Sequence, residues 1–409
     1  MATSYTTVAN AFSIFTRKEL GKVQLGRKDC KFFNKIRKVK MPAGEGYRIP
    51  MWGSGGIVSH TMTSAQTYGA DPDVQRFVIS SGSLAKFHRI LQISNEAIRA
   101  GMADPSTFVR ESLRGLQDSV EQTVLVMERE LLGDGYASIG VCATASTASI
   151  TLANRGDAKF FRKGMGVVAS TTIGGALMDS GAVAIVSGVN PQTGTINFSA
   201  NLSTTLASLT TGGYLFPAGS AAAGGTRKGV HGIQWWAETP SGGESFFGLD
   251  RSTNTGAYTV QPFTGSSADI RKSIQDADAA NYDVNGTMRD WALLNPRDYS
   301  TLADQEYVAN VRLGEGGNKS VGLSKIAINS TSGVIECESS PFIPAGKIAL
   351  LNAGTWELVH LPDEPVNIDD LDGSAAMKLA SSAGIEARVE GYVELACTEP
   401  GANTWITAA

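Results

Sequence analysis

The chain has 409 residues, which is enough for two or three ordinary domains or for one elongated body with several lobes. Hydrophobic residues make up 42% of it and charged residues 18%, a balance that permits a packed core and argues against wholesale disorder. The net charge of −4 conceals a basic N-terminal region and an acidic C-terminal region, which excludes a uniformly charged surface.

Residues 1–45 form the first predicted element, an extended arm without regular periodicity. Between Arg17 and Lys40, only Glu19 and Asp29 oppose its basic residues. Such an arm is ordered only when something tethers it, so we expect it to contact a polyanion or an acidic neighbouring subunit, with a solvated surface as the alternative. We favour the neighbour, because phenylalanines between the charges need a surface to bury against. The basic residues are Arg17, Lys18, Lys22, Arg27, Lys28, Lys31, Lys35, Arg37, Lys38 and Lys40, and the anchors are Phe12, Phe15, Phe32 and Phe33.

Residues 46–90 predict an extended loop built as a long β-hairpin. GYRIPMW is typical of an outgoing strand, and the glycines that follow it supply turn chemistry. VQRFVIS and LAKFHRILQIS predict the return. A hairpin of this length is not stable in water by itself, so we expect it to lie on another subunit.

A single long amphipathic helix is predicted from Asp104 to Gly133. Asp104 and Pro105 are suited to the N-cap and the first helical position, and Gly133 and Gly135 are suited to its end. Roughly 28 residues at 1.5 Å each give about 42 Å, a length typical of a spine. Its apolar stripe consists of Val109, Leu113, Leu116, Val120, Val124, Met127 and Leu131.

Residues 166–222 are rich in glycine, serine, threonine and valine, and they predict a small β-rich module. A helix with Ser267 as its cap is predicted after it, from Ala268 to Asp290. Further strands are predicted in GLSKIAINS, GVIECESS, KIALLN and IEARVEGYVELACT.

A short buried strand is predicted over Trp291–Leu294. The Asn295-Pro296 pair ends it and directs the chain into another helix, RDYSTLADQ.

The sequence lacks a recognisable catalytic, cofactor or metal motif. No second histidine or acid lies at metal-ligand spacing from any histidine, and there is no complete calcium loop, phosphate loop or nucleophile elbow. The Trp235-Trp236 and Phe246-Phe247 pairs favour packing over base stacking, because no basic residues are interleaved with them. We therefore predict a structural protein rather than an enzyme. The histidines are His60, His88, His231 and His360, and the scattered cysteines, which fit a reducing cytosol, are Cys30, Cys142, Cys337 and Cys397.

Membrane insertion and secretion are not expected. No hydrophobic run approaches the ~20 residues that cross a bilayer, and MATSYTTVANAFSIF lacks the charged-then-apolar order of a signal peptide. These features predict a soluble protein that is intracellular when it is made.

In the order of these elements the chain resembles the major capsid proteins of tailed bacteriophages, whose Hong Kong 97-type fold is shared with encapsulins. The resemblance rests on the basic arm, the extended loop, FHRILQISNEAI with its Ser94-Asn95-Glu96 turn, the helix closed by LLGDG, LLNPRDYSTL, and SPFIPAGKIALLNAGTWEL. Each motif is weak alone, and their order carries the resemblance. The stretch 166–222 departs from compact members of the family, which pass more directly to the axial domain.

The resemblance implies an α+β Hong Kong 97-type major capsid fold with six parts. These are an N-terminal arm at 1–45, an extended loop at 46–90, a peripheral domain at 91–165 with its spine helix at 104–133, a β-rich insertion at 166–222, a mainly axial domain at 223–374, and return strands at 375–409.

The function implied by the resemblance is self-assembly of hexamers and pentamers into an icosahedral or prolate head shell that encloses double-stranded DNA. The implied partners are other copies of the chain, packaged DNA, and separate scaffolding, portal and cement proteins, with no membrane and no cofactor. The implied location is the virion, after synthesis in the host cytoplasm. The alternatives are an encapsulin-like nanocompartment shell and an enzyme with a β-sandwich appendage; a secreted adhesin is disfavoured by the missing signal peptide.

Overall fold

A computed structural model of the chain describes residues 28–42, 46–52, 74–79, 83–94, 105–173, 175–220, 229–240, 246–310, 326–361, 363–368, 377–378 and 384–408. Within these ranges, the side chains at 52, 74–76, 93–94, 105–113, 306–310, 377–378 and 384–385 are not described. No helix in the described part is long and apolar enough to cross a membrane.

The structure mixes α-helices and β-strands. The helices are α1 (Lys31–Lys35), α2 (Pro105–Leu131), α3 (Leu202–Thr205), α4 (Ile233–Trp236), α5 (Thr255–Tyr258), α6 (Ile270–Asn285) and α7 (Pro296–Asn310). Short 3-10 helices lie at Arg155–Phe160, Met178–Gly181, Arg251–Asn254, Ala353–Thr355 and Pro400–Ala402. The first ten strands are β1 (Arg37–Lys40), β2 (Tyr47–Trp52), β3 (Val74–Ile79), β4 (Ala85–Ser94), β5 (Gly140–Ala145), β6 (Ser149–Leu152), β7 (Gly166–Ser170), β8 (Ala184–Asn190), β9 (Thr195–Phe198) and β10 (Tyr214–Pro217). The last ten are β11 (Gln261–Gly265), β12 (Trp291–Leu294), β13 (Ile326–Ser330), β14 (Gly333–Ser339), β15 (Lys347–Leu351), β16 (Trp356–His360), β17 (Asn367–Ile368), β18 (Met377–Lys378), β19 (Gly384–Cys397) and β20 (Thr404–Ala408).

The chain forms two compact units. Met1–Arg129 and Trp236–Ala409 form one, which we call the body, and Glu130–Trp235 forms the other, which we call the barrel unit. The body contains two six-stranded sheets. One is centred on the long strand β19, and the other has the order β11-β20-β15-β12-β14-β13.

The long helix α2 begins at Pro105 and ends at Leu131, within two residues of the predicted end. Its sequence periodicity places one apolar face toward the core. The stripe residues whose side chains are described are fully buried: Leu116, Val120, Val124, Met127 and Leu131. The side chains of Val109 and Leu113 lie outside the described residues. Gly391 of β19 faces the end of the Met127 side chain of this helix, and a Cβ at this position would lie 2.8 Å from the Pro365 carbonyl oxygen.

The barrel unit contains a closed six-stranded barrel with the order β10-β5-β6-β9-β8-β7. Its apolar core includes Cys142, Ile150, Val167, Ile196 and Leu215. The barrel begins at β5, so the boundary predicted at residue 166 falls inside it. Periodicity missed β5 because glycine, alanine and threonine leave little alternation of hydrophobicity in GVCATA, and it missed β6 because the alternating SITL is only four residues long.

The predicted elements of the second body sheet lie close to their expected positions. β12 spans Trp291–Leu294 as predicted, and α7 begins at Pro296 after it. Asp269 caps helix α6 instead of Ser267, because the Asp269 side chain accepts a hydrogen bond from the Lys272 N–H. The helix ends at Asn285 rather than at the predicted Asp290, because Gly286 takes the left-handed conformation with a φ of 65°.

The extended loop differs from its prediction at the return strand. β2 pairs with β3 in a two-stranded antiparallel sheet, but LAKFHRILQIS forms β4, which pairs with β19 over ten residues. Alternation of apolar residues identified this strand without identifying its partner, which lies about 300 positions further along the chain. At the base of the hairpin Phe77 is fully buried, with its ring 6.2 Å from Trp236 and 5.8 Å from Phe246. This base therefore packs on its own body. The predicted contact of the rest of the hairpin with another subunit falls on residues 53–73, which lie outside the described residues.

Candidate functional site

Residues 28–42, which we call the strap, cross the body as a short helix followed by a strand. Helix α1 contains Phe32 and Phe33, both with no exposed surface. The Phe32 ring is stacked on Trp291 with a centroid separation of 6.2 Å and meets Trp356 edge-on at 5.9 Å. Burying each phenylalanine contributes about 2–3 kcal/mol. These two anchors bind their own chain, which corrects our expectation that the arm buries all its phenylalanines on a neighbour.

Glu128 on helix α2 holds the start of the strap helix. Its two carboxylate oxygens accept the backbone N–H groups of Phe32 at 2.9 Å and Phe33 at 2.7 Å. These groups belong to the first turn of α1, where N–H groups have no partner within the helix. Burial raises the pKa of Glu128 from 4.5 to about 7, against the opposing effects of the two hydrogen bonds and of Lys38.

Strand β1 completes the strap by pairing in parallel with β16. Arg37 lies opposite Glu357 and forms an ion pair with it at 3.2 Å. Glu357 also accepts the Tyr47 hydroxyl at 2.8 Å, and burial together with this bond raises the pKa of Tyr47 to about 12. Glu357 of β16 thus binds both the strap, through Arg37, and the hairpin strand β2, through Tyr47.

Most basic side chains of the strap have partners in their own body. Lys38 donates to the Phe33 carbonyl at 2.6 Å, and Lys35 lies 4.3 Å from the centroid of the Trp291 ring. Further ion pairs join Lys31 to Glu338 at 3.7 Å and Lys40 to Asp363. Lys28 is exposed. The other predicted arm residues lie outside the described residues: Phe12, Phe15, Arg17, Lys18, Lys22 and Arg27.

The body contains a buried ion pair that no sequence pattern predicted. Arg289 donates to Asp278 at 3.1 Å, and neither side chain has exposed surface. Asp278 also accepts both the backbone N–H and the hydroxyl of Ser332, at 3.0 and 2.7 Å, and the hydroxyl of Ser330 at 2.7 Å. Burial acts to raise the pKa of Asp278, but these hydrogen bonds outweigh it and hold the pKa below its usual value. Helix periodicity gave only a weak indication that Asp278 is buried, since Asp278 follows Ala277 on the buried face of α6.

Neither the buried glutamate nor the buried ion pair resembles a reactive site. Glu128 accepts hydrogen bonds from backbone amides, and Asp278 accepts them from an arginine and two serines. Each carboxyl group therefore holds separate chain segments together. Among the described residues no group of histidine, cysteine, aspartate and glutamate could hold a metal ion. All four cysteines are buried and unpaired by disulfides.

Comparison with known proteins gives structural matches only. No family model matches the chain, and no curated protein matches it. A chain of the cyanophage A-1(L) capsid asymmetric unit superposes with a TM-score of 0.50 and 11% sequence identity, covering 91% of this chain and 90% of that chain. The capsid of the native GTA particle gives a TM-score of 0.45 at 9% identity, covering 94% and 91% of the two chains. The holo-SrpI encapsulin complex from Synechococcus elongatus PCC 7942 gives 0.40 at 10% identity, covering 91% and 84%.

The match to the cyanophage capsid chain establishes the fold. It extends over 91% of this chain and 90% of that chain. The chain therefore has the fold of a phage capsid protein, as the sequence resemblance predicted.

Proposed function

We propose that the chain is a major capsid protein whose copies self-assemble into the icosahedral or prolate head shell of a tailed bacteriophage and enclose its double-stranded DNA. The observation that carries the proposal is the fold shared with the cyanophage capsid chain over 91% of one chain and 90% of the other. Because the likeness includes nearly all of both chains, it supports a shell role for the whole molecule rather than for one attached domain.

In this proposal the two body sheets have different roles. The sheet centred on β19, with helix α2, would form the peripheral domain of the shell wall, and α2 would be its spine. The sheet containing β12, with helices α6 and α7, would form the axial domain that meets its copies in pentamers and hexamers. Repeated heterologous contacts of this kind generate closed shells.

The chemistry of the buried polar groups supports a structural role. Glu128 fixes the strap, and the Arg289–Asp278 pair fixes helix α6 to the turn between β13 and β14. Both arrangements use buried polar groups to hold segments together, as a subunit that must keep its shape within a wall requires. We therefore propose a protein without enzymatic activity.

The proposed partners are other copies of the chain, packaged DNA on the inner face, and separate scaffolding, portal and cement proteins, with synthesis in the host cytoplasm and final location in the virion. Lys31, Arg37 and Lys40 already pair with acids of their own body. The proposed contacts of the basic arm to DNA or a neighbour therefore rest on Arg17, Lys18, Lys22, Arg27 and the exposed Lys28.

Particles isolated from a lysate of the natural host would test the enclosed cargo. We expect the chain to co-purify with nuclease-resistant double-stranded DNA in particles that disassemble on denaturation. Particles that contain the chain with a protein cargo and no DNA would contradict the genome role and identify a nanocompartment shell instead.

A further inference from the structure

The barrel unit has a very uneven distribution of charge. Between Tyr136 and Thr226 the sequence contains six charged residues, and five of them lie within the nine residues from Arg155 to Lys163. The sixth, Asp179, accepts hydrogen bonds from the backbone and hydroxyl of Ser208 at 3.0 and 2.6 Å. Soluble surfaces usually intersperse charges of both signs, so this concentration in one loop requires a specific explanation.

The loop connects β6 to β7, and we call it the basic loop (residues 155–163). Its four basic side chains are all exposed: Arg155, Lys159, Arg162 and Lys163. Its single acidic residue, Asp157, is partly buried and accepts a hydrogen bond from the Asn154 amide at 3.1 Å. The loop thus presents a formal charge of +3 over nine residues.

The barrel fixes the conformation of the basic loop. Ala158 and Phe161 are 1% and 4% exposed and belong to the barrel core. Asn154 caps the 3-10 helix by accepting the Gly156 N–H at 3.1 Å. The turn before β9 also lies against the loop, since a Cβ at Gly194 would be 2.9 Å from the Arg155 Cα atom. A fixed loop presents its charges without a large ordering cost on binding.

The two units carry opposite net charges. The barrel unit contains six basic and four acidic residues, a net charge of +2, and the whole chain has −4, so the body carries −6. Exposed acids of the body include Asp269, Asp283, Asp304 and Glu364. Charge complementarity of this kind directs encounter and suppresses wrong pairings.

We propose that the basic loop is an electrostatic contact surface by which the barrel unit of one copy binds the acidic body of a second copy. The inference rests on the proposed function, because a shell brings many copies of the chain into contact. A second copy fits the charges better than nucleic acid does, since the −6 body would repel a polyanion. Phe160 also packs against the barrel core instead of presenting a free ring for base stacking.

Zero-length cross-linking of shells assembled from an equal mixture of heavy-isotope and ordinary chains tests the contact directly. A carbodiimide joins a lysine to a carboxylate only when the two are in contact. We expect mixed-isotope cross-links from Lys159 or Lys163 to an aspartate or glutamate of the body. Shells without such cross-links from either lysine would overturn the proposal.

A pair of variants with equal changes in net charge tests the role of the basic loop in assembly. Arg162→Gln with Lys163→Gln removes two charges from the loop. The matched control, Ser203→Glu with Ala207→Glu, changes the net charge of the barrel unit by the same amount at exposed positions outside it. We expect the loop variant to lower shell yield about five-fold at roughly 0.1 M salt, while the control assembles like the unmodified chain. Circular dichroism checks that both variants remain folded.

Three results separate the outcomes. Equal assembly of both variants and the unmodified chain would overturn the contact. A loop variant that loses affinity for a short DNA duplex, with unchanged assembly, would overturn it and identify a nucleic-acid surface. Failure of the unmodified chain to form shells contradicts the proposed function itself, and this is seen before any variant is compared.

Discussion

A carboxylate oxygen of Glu128 accepts the backbone N–H of Phe33 at 2.7 Å, across 95 positions of sequence. The second oxygen accepts the N–H of Phe32 at 2.9 Å. Through these two bonds the longest helix of the body holds the N-terminal strap in place. Because this carboxyl group is buried, the stability of the folded chain depends on whether it is protonated.

The first prediction concerns pH. Burial raises the pKa of Glu128 from 4.5 to about 7, so the folded state favours the protonated form. The tighter binding of this proton by the folded state stabilises the fold. This contribution is fully present below pH 4.5 and is lost as the pH rises through 7, a change of about 3 kcal/mol in the free energy of unfolding. Glu128→Gln should remove this part of the pH dependence. Urea unfolding at about pH 5 and about pH 8 measures it.

Glu121→Gln on the same helix is the control, because this side chain is only partly buried. It should retain the pH dependence of the unmodified chain. An identical pH dependence in the unmodified chain and in Glu128→Gln would show that the attachment does not titrate through this group.

The second prediction separates two truncations of the N-terminus. Deleting residues 1–27 leaves every described contact of the strap, so the melting temperature should change little. Deleting residues 1–40 also removes Phe32, Phe33 and the pairing of β1 with β16. It should lower the free energy of unfolding by about 4 kcal/mol or more. Equal melting temperatures for the two truncations would contradict this account of the strap.

The third prediction concerns the buried Arg289–Asp278 pair. Asp278→Ala leaves a buried guanidinium without its carboxylate and should cost about 3–5 kcal/mol of stability. Arg289→Met should cost less, because Asp278 keeps its bonds from Ser330 and Ser332. The replacement also removes the arginine Nε and Nη2 groups, which are buried without a hydrogen-bond partner. Chemical denaturation measures the free energy of unfolding of both variants. A larger loss of stability in Arg289→Met than in Asp278→Ala would contradict the role of Asp278 as the residue on which the hydrogen bonds of this cluster converge.

The fourth prediction compares two valines on helix α2. Val120 is fully buried, whereas Val126 is 37% exposed. Val120→Asp places a carboxylate in the core and should unfold the body or force a large shift in the pKa of that carboxylate. Val126→Asp introduces the same side chain into the same helix and should leave the protein folded. Similar circular dichroism spectra and melting temperatures for both variants would mean that the buried face has been misidentified.

Local patterns in the sequence predicted the elements better than their partners. The periodicity of helix α2 and the capping signals around it placed its ends within two residues, because helical hydrogen bonds and side-chain spacing are local. The strand Trp291–Leu294 was equally clear, because an apolar run ends there at an Asn-Pro pair. The pairing of β4 with β19 was not predictable, since strand pairing depends on residues far apart in sequence.

In the candidate site, too, the sequence predicted individual residues better than their partners. Phe32 and Phe33 were recognisable as anchors, because aromatic residues in a charged segment need an apolar surface. The residues that they contact were not predictable, because Trp291, Trp356 and Glu128 come from three distant parts of the chain. Charge also misled the interpretation. The basic residues of the strap pair mainly with acids of their own body, and no sequence pattern distinguishes such acids from those of a neighbour.

Electron microscopy of the purified full-length chain tests the central claim most directly. We expect closed shells of uniform size, with either icosahedral or prolate outlines. A discrete particle of a single 43.0 kDa chain that persists at high protein concentration would contradict the proposal that this protein builds a capsid.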